Sequence, residues 1–170
     1  MTNKEASAKQ ENMVADFMGW KVVTGSGARP FRPGDVQNDN YLVECKTHTK
    51  EQPNIVFYKK YWDKIVTEAR SVNKYPALIT DNGTQNSKYT WVLIPKRVIT
   101  SEIANSILNL VNSSTSGTTI TFRQETSYST FKAFYIDKAI NFFEQSWGEE
   151  KLAVMPLEEF RKFYQSEFEC

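Results

Sequence analysis

The stretch Pro33-Gly34-Asp35-Val36-Gln37-Asn38-Asp39-Asn40-Tyr41-Leu42-Val43-Glu44-Cys45-Lys46 decides how the rest of the chain is read. The apolar residues from Tyr41 to Val43, with Cys45, suit one strand, and Asp35-Val36 suits a partner strand. Between them, Gln37-Asn38-Asp39-Asn40 carries side chains that favour turns. Side chains alternate along a strand, so Glu44 and Lys46 project from one face while Val43 and Cys45 point the other way. A four-residue turn sets Val36 opposite Tyr41 and Asp35 opposite Leu42. Asp35 then becomes a diagonal same-face neighbour of Glu44, about 7–8 Å away at the side-chain base. Two carboxylates at that spacing suit one hard divalent cation, magnesium with manganese as a substitute, whereas zinc would want His or Cys ligands. Lys46 on the same face can orient a water, help it lose a proton, or stabilise negative charge on a phosphoryl group. The same residues also fit an ordinary hairpin with surface charges.

Upstream, the pattern from Lys4 to Met18 predicts a helix with Val14, Phe17 and Met18 as its apolar stripe, stopped by Gly19. Trp20 to Thr24 reads as a short strand, followed by the loop Gly25-Ser26-Gly27-Ala28-Arg29-Pro30-Phe31-Arg32-Pro33-Gly34. Downstream, Trp62, Ile65, Val66 and Ala69 predict a helix over Tyr61 to Val72. Strands are predicted at Ala77 to Thr80 and Tyr89 to Ile94, with the turn-rich Asp81-Asn82-Gly83 between them. Ser101 to Val111 reads as a helix, Ser113 to Thr119 as a loop and Thr119 to Arg123 as a strand. Phe131 to Ile136 fits either a second strand or the start of a helix, and Asp137 to Ser146 reads as helical. Leu152 to Met155 is a short strand, after which Pro156 stands as a first helical residue, with Glu158 and Glu159 near that helix's positive end. This order predicts an α/β layered domain with a mixed sheet. Neither a GxGxxG nor a GxxxxGK[ST] loop is present, so no nucleotide cofactor is expected.

The 170 residues, 40% of them apolar, suffice for one domain with its own core. Lys and Arg number 21 against 20 Asp and Glu, and a net charge of +1 excludes a strongly basic histone-like protein and an acidic disordered one. The charge is divided, however. Residues 1–97 carry 15 Lys/Arg and 10 Asp/Glu, for +5, whereas residues 98–170 carry 6 and 10, for −4. The positive share lies with the hairpin, which leaves nucleic acid open as a partner. Two cysteines, Cys45 and Cys170, are too few for a disulfide scaffold. Neither a signal peptide nor an apolar run of about 20 residues is present, so a cytoplasmic location without a membrane is expected.

Gly34-Asp35 followed by Glu44-Cys45-Lys46 after an apolar lead-in resembles the PD-(D/E)xK nuclease superfamily, within it most closely the Holliday-junction-resolvase-like proteins of phages and archaea. Gly25-Ser26-Gly27-Ala28 is similar to the Ser/Gly loop of those resolvases. Similarity to phage members continues through Lys46-Thr47, Tyr61-Trp62-Asp63-Lys64-Ile65, Glu68-Ala69 and Pro76-Ala77-Leu78-Ile79, and returns at Leu152 to Phe160. Gly34-Asp35 stands where the superfamily has Pro-Asp. The resemblance implies a restriction-endonuclease-like α/β fold, a central mixed sheet flanked by helices. It makes residues 1–170 one nuclease domain, with residues 1–97 as catalytic core and 98–170 completing it. It implies a magnesium-dependent endodeoxyribonuclease, with Asp35 and Glu44 as metal ligands, the Cys45 backbone carbonyl as a third, and Lys46 acting on the water. The product would carry a 5′-phosphate and a 3′-hydroxyl.

The resemblance also implies an acid on the first helix. Glu11 borders the stripe of Val14, Ala15 and Met18 and is preferred over Glu5, which looks solvent-facing. Ser26, Arg29 and Arg32 on the Gly-rich loop are candidates for holding DNA phosphates, as are Lys59 and Lys60 beside Tyr58 and Tyr61. Each of these also fits a solvated surface. His48 has no His or Cys partner nearby and reads as incidental, the Cys45 thiol reads as core, and Phe131, Phe134, Tyr135, Phe142, Phe143 and Trp147 read as core or dimer surface. Junction cleavage requires paired cuts, so a homodimer on DNA is expected. The alternatives are a restriction-like or phage-encoded nuclease that cuts duplex DNA at a specific site, in host cytoplasm, and an inactive DNA-binding module on the same fold.

Overall fold

The computed structural model describes residues 1–23, 33–110 and 114–169. The first helix, α1 (Asn3–Met18), is closed by its own sequence at both ends. Thr2 and Glu5 exchange side-chain and backbone hydrogen bonds as a capping box, and Gly19 ends the helix at φ +72. Then come β1 (Lys21–Val22), β2 (Val36–Gln37), β3 (Tyr41–Lys46), β4 (Asn54–Tyr58), α2 (Lys59–Ser71), β5 (Tyr75–Asp81) and β6 (Thr90–Pro95). The second half supplies β7 (Ala104–Ile107), β8 (Ser114–Thr115), β9 (Thr119–Arg123), α3 (Gln124–Ala133), β10 (Ile140–Trp147), β11 (Glu150–Pro156) and α4 (Leu157–Phe168).

Eight strands form one mixed sheet in the order β1-β2-β3-β5-β6-β11-β10-β7, and β4-β9-β8 form a small antiparallel sheet. Only β3 with β5 and β7 with β10 run parallel in the large sheet. Alternation along β3 divides the core. Val43 and Cys45 pack with Val14 and Met18 of α1 and with Leu157, Phe160 and Phe163 of α4. Leu42 faces the opposite way, into Trp62 and Ile65 of α2, Ile55 and Phe57 of β4, Phe122 of β9 and Phe131 of α3. Helices therefore flank a central mixed sheet on both faces. Among the described residues no helix is long and apolar enough to cross a membrane.

The structure corrects several sequence expectations outside the hairpin, among them a loop over Ser113 to Thr119, where Ser114–Thr115 forms β8. Where a helix was expected over Ser101 to Val111, the described residues 101–110 contain none: their middle is β7, an edge strand paired with β10 through Ala104 opposite Ile140 and Ile107 opposite Phe143. Ile103, Ile107 and Leu110 have helical spacing, yet Ile103 is left 57% exposed while Ile107 and Leu110 are buried. Asp137 to Ser146 is not helical either, because it enters β10 between β7 and β11. Phe131 to Ile136 spans the end of α3 instead of a strand or a helix start. Pro156 closes β11 and stands just outside α4.

Asn141 explains the departure at Asp137 to Ser146. It is fully buried, and its Nδ2 donates to the carbonyls of Ile136 and Ala139 and to Glu159 Oε1. Its Oδ1 accepts from the Ile136 amide and from Asn105, and its backbone amide donates to Glu159 Oε1 at 2.7 Å. The side chain ties the bend before β10 to both β7 and α4, a service a helix at this place would not need. Asn141→Ala would leave several of these buried groups unpaired, so it is expected to cost about 2–4 kcal/mol in urea unfolding. A loss below about 0.5 kcal/mol would contradict this role.

Candidate functional site

The hairpin expected from Pro33 to Lys46 is present, but its turn is tighter than a four-residue connection. Asn38 Oδ1 accepts from the amides of Asn40 and Tyr41, and the Asn38 amide donates to the Tyr41 carbonyl at 3.1 Å. Only Asp39 and Asn40 remain as the loop. The pairing moves by two residues, Val36 opposite Val43 and Gln37 opposite Leu42, and one step further back sets Asp35 opposite Glu44. A shift of two leaves every side chain on its expected face while bringing the two carboxylates closer than a diagonal pair.

Asp35 Oδ2 accepts the Cys45 amide at 2.8 Å, which folds its carboxylate back over β3. Glu44 is 2% exposed, and each of its oxygens meets an ammonium group. Oε1 lies 3.1 Å from Lys46 Nζ and Oε2 lies 2.8 Å from Lys64 Nζ. Lys46 Nζ also stands 4.2 Å from the centre of the Tyr61 ring, and the Lys46 carbonyl accepts from the Gln10 side chain of α1. Gln10 thereby fixes its neighbour Glu11 at the same end of the sheet, whereas Glu5 is engaged in the α1 capping box. Of the two helix acids, Glu11 is the one placed near Asp35, Glu44 and Lys46.

The surplus of carboxylates registers in their proton affinities. Asp35 is pushed up to about 6, by burial first and then by Glu44, against the Cys45 amide and the charges of Lys46 and Lys64. Glu11 is pushed up to about 7 by burial, then by Asp35 and Glu44, with Lys46 opposing. Burial followed by the same acids, Asp35, Glu11 and Glu44, and then Asp81, drives the Cys45 thiol well above its ordinary value, so it serves as core and not as a nucleophile. For Lys64, burial alone would lower the ammonium; its bond to Glu44 and the charges of Glu44 and Glu68 outweigh that and raise it.

Lys64 and Glu68 are site residues that sequence reading did not assign. They lie four apart on α2, 3.3 Å from each other, and Glu68 Oε2 accepts the Gly34 amide at 2.9 Å. Gly34 is at φ +74, and a Cβ there would come within 2.7 Å of the buried Leu42 side chain. Asp81, at the end of β5, is also buried, with Oδ1 accepting from Thr47 Oγ1 at 2.6 Å and from the Gly83 amide at 2.7 Å. The i,i+4 spacing of Lys64 and Glu68 was visible in the sequence; that their helix covers the Glu44 face was not.

The DNA-contact candidates divide. Lys60 Nζ lies 5.0 Å from the Tyr61 ring that Lys46 also faces, so it stands beside the site. Lys59 is held by Asp63 at 2.8 Å. Ser26, Arg29 and Arg32 lie outside the described residues. His48 is exposed, and its carbonyl accepts from the Gln85 side chain at 2.8 Å.

The donors are carboxylate oxygens, the chemistry a hard divalent ion takes. Burial first, and then the neighbouring acids, disfavour the charged forms of Asp35 and Glu11, a penalty that such an ion would relieve. The present arrangement is nonetheless one of carboxylates around ammonium groups: among the described residues no three acid, cysteine or histidine side chains stand together as a metal cage. Compared with protein-family models, with curated proteins and with solved structures, the chain matches none.

Raised carboxylate pKa values set a sign for stability. The folded chain holds these two protons more tightly than the unfolded chain, whose acids titrate near 4. Their contribution to stability is therefore full below about pH 4 and is lost as the pH rises through about 6 for Asp35 and about 7 for Glu11. Asp35→Asn and Glu11→Gln are expected to remove that slope and to raise stability at pH 8, Asp35→Asn by roughly 1–3 kcal/mol. Urea unfolding at pH 5 and pH 8 measures this, and a lower stability of both variants at pH 8 would contradict it.

Proposed function

We propose that the chain is a metal-dependent endodeoxyribonuclease of the PD-(D/E)xK superfamily, with a restriction-endonuclease-like fold, acting on branched DNA of the Holliday-junction kind. The observation that carries this reading is the meeting of Asp35, Glu44 and Lys46 on one hairpin with Glu11 of α1 beside them. Acid, acid and lysine around a partly desolvated corner is the equipment that phosphodiester hydrolysis uses. Asp35 and Glu44, with Glu11 and the Cys45 carbonyl as further oxygen donors, would hold a magnesium or manganese ion, whose Lewis acidity stabilises charge on the phosphoryl oxygens.

The chain's own residues then have separable tasks. Lys46, held between Glu44 and the Tyr61 face, presents a fixed ammonium toward the attacked phosphate and the water. Glu11, with a proton affinity near neutrality, can take or hold a proton at its carboxylate in the working pH range. Lys60 and the rings of Tyr58 and Tyr61 offer cations and flat faces next to the site for the DNA backbone. Resolution of a junction needs two cuts related by two-fold symmetry, hence a dimer.

One observation favours a second reading, a DNA-binding module that does not cut: both oxygens of Glu44 are already occupied by lysines. The assay that separates the two is cleavage of four-way junctions, flaps, linear duplex and single strands with magnesium or manganese. The parent is expected to cut the four-way junction. Asp35→Ala and Lys46→Ala are expected to reduce that rate by at least about 10²-fold while retaining the fold and most DNA affinity. Unchanged cleavage by Asp35→Ala would overturn the site assignment, and binding without cleavage by the parent would favour the second reading.

A further inference from the structure

We infer that Lys64 is a positioning residue of this site: its ammonium holds Glu44 where a divalent cation would sit, and it gives that place up when a cation binds. The inference rests on the nuclease reading and adds to it a residue that the acid, acid and lysine set does not contain. Glu44 is almost completely buried, so its charge requires a partner in every state of the site. Lys46 Nζ meets Oε1 at 3.1 Å and Lys64 Nζ meets Oε2 at 2.8 Å, so each oxygen of Glu44 already carries an ammonium with which an incoming ion would compete. The two lysines are not equivalent. Lys46 extends from the same strand as Glu44 and is braced against Tyr61. Lys64 comes from the neighbouring helix, and its side chain is about half exposed, so it can withdraw into solvent without leaving a void.

Withdrawal also has a destination. Glu68 Oε1 already lies 3.3 Å from Lys64 Nζ, one helical turn along the same face. Glu68 in turn grips the Gly34 amide next to Asp35, so the pair on α2 touches both carboxylate-bearing strands. Moving the ammonium from Glu44 to Glu68 would keep Glu68 paired while freeing Glu44 Oε2 for an oxygen-seeking cation. The exchange keeps the buried carboxylate neutralised throughout and replaces one positive charge by two beside Asp35 and Glu11.

Isothermal titration of magnesium and of manganese into the metal-free protein tests this without any turnover. Lys64→Met is expected to bind the ion about tenfold tighter than the parent, the worth of one charge-assisted hydrogen bond that no longer competes. Arg70→Met removes the same charge from the same helix away from Glu44 and is expected to shift affinity by less than about twofold, while Lys64→Arg, which can refill the place, should stay near the parent. Equal or weaker binding by Lys64→Met, or an Arg70→Met shift as large, overturns the inference. If the parent binds the ion in an Asp35-dependent way and Lys64→Met does not differ from it, the role of Lys64 fails while the nuclease reading stands. If neither protein binds an ion, both fail. Amine acylation of the unmodified parent gives an answer that does not depend on any variant folding. Magnesium is expected to speed labelling of Lys64 several-fold and to leave Lys96, which pairs with Glu144, unchanged. An unchanged Lys64 rate would contradict the exchange.

Discussion

The arrangement hangs on one buried carboxylate. Glu44 sits at the sheet's centre-left, on β3 between β2 and β5, at 2% exposure. An ionised group at such a place is tolerated only with partners of opposite charge in good geometry. Lys46 and Lys64 supply them at 3.1 and 2.8 Å. Much of the local structure follows from the need to deliver those two ammonium groups: the alternation that puts Lys46 beside Glu44, the packing of α2 over that face through Trp62 and Ile65, and the grip of Glu68 on Gly34. Replacing this group by an apolar side chain would be the simpler way to build a stable core. Its presence identifies a corner organised for electrostatics.

The second consequence concerns the other acids. Burial first, and then the neighbouring acid charges, which Lys46 and Lys64 only partly oppose, make Asp35 and Glu11 hold protons more tightly than ordinary carboxylates. The tight turn at Asn38 sharpens this by setting Asp35 directly across from Glu44. On the proposed nuclease reading such a cluster would take up a cation, and the half of the chain that carries it, residues 1–97 at +5, is the half that would face DNA.

Legibility in the sequence followed the range of the forces involved. The faces of β3, the limits of α1 and the stop at Gly19 are set by neighbours within a few residues, and they were readable; α2 was readable as a helix but starts at Lys59, two residues before the expected Tyr61. The hairpin register was not, because it depends on which Asn accepts the turn amides; the error of two residues left the faces intact. The strand Thr119 to Arg123 was readable, but the two segments around it, from Ser101 and from Asp137, were not: Ile103, Ile107 and Leu110 imitate a helical stripe, while the strands β7 and β10 are fixed by partners distant in sequence. Asn141 organises that region through a buried network with Glu159 and Asn105, and a lone asparagine in a sequence carries no sign of it. That Asp35, Glu44 and Lys46 share one face of the hairpin was legible from spacing, whereas the approach of Lys64 and Glu68 became visible only when α2 was placed over β3.

Glu44 joins the fold to the proposed chemistry, so it is also where the account is most exposed. The deciding measurement is the rate of four-way-junction cleavage across a magnesium titration for the parent and for Glu44→Gln, with circular dichroism confirming that both are folded. Glutamine keeps the shape and the hydrogen-bonding capacity of the side chain while removing its charge. The parent is expected to cleave with saturable magnesium dependence, and Glu44→Gln to lose at least about 10²-fold in rate, with no recovery at higher magnesium. Cleavage by folded Glu44→Gln at the parent's rate and at the same magnesium concentrations would contradict it.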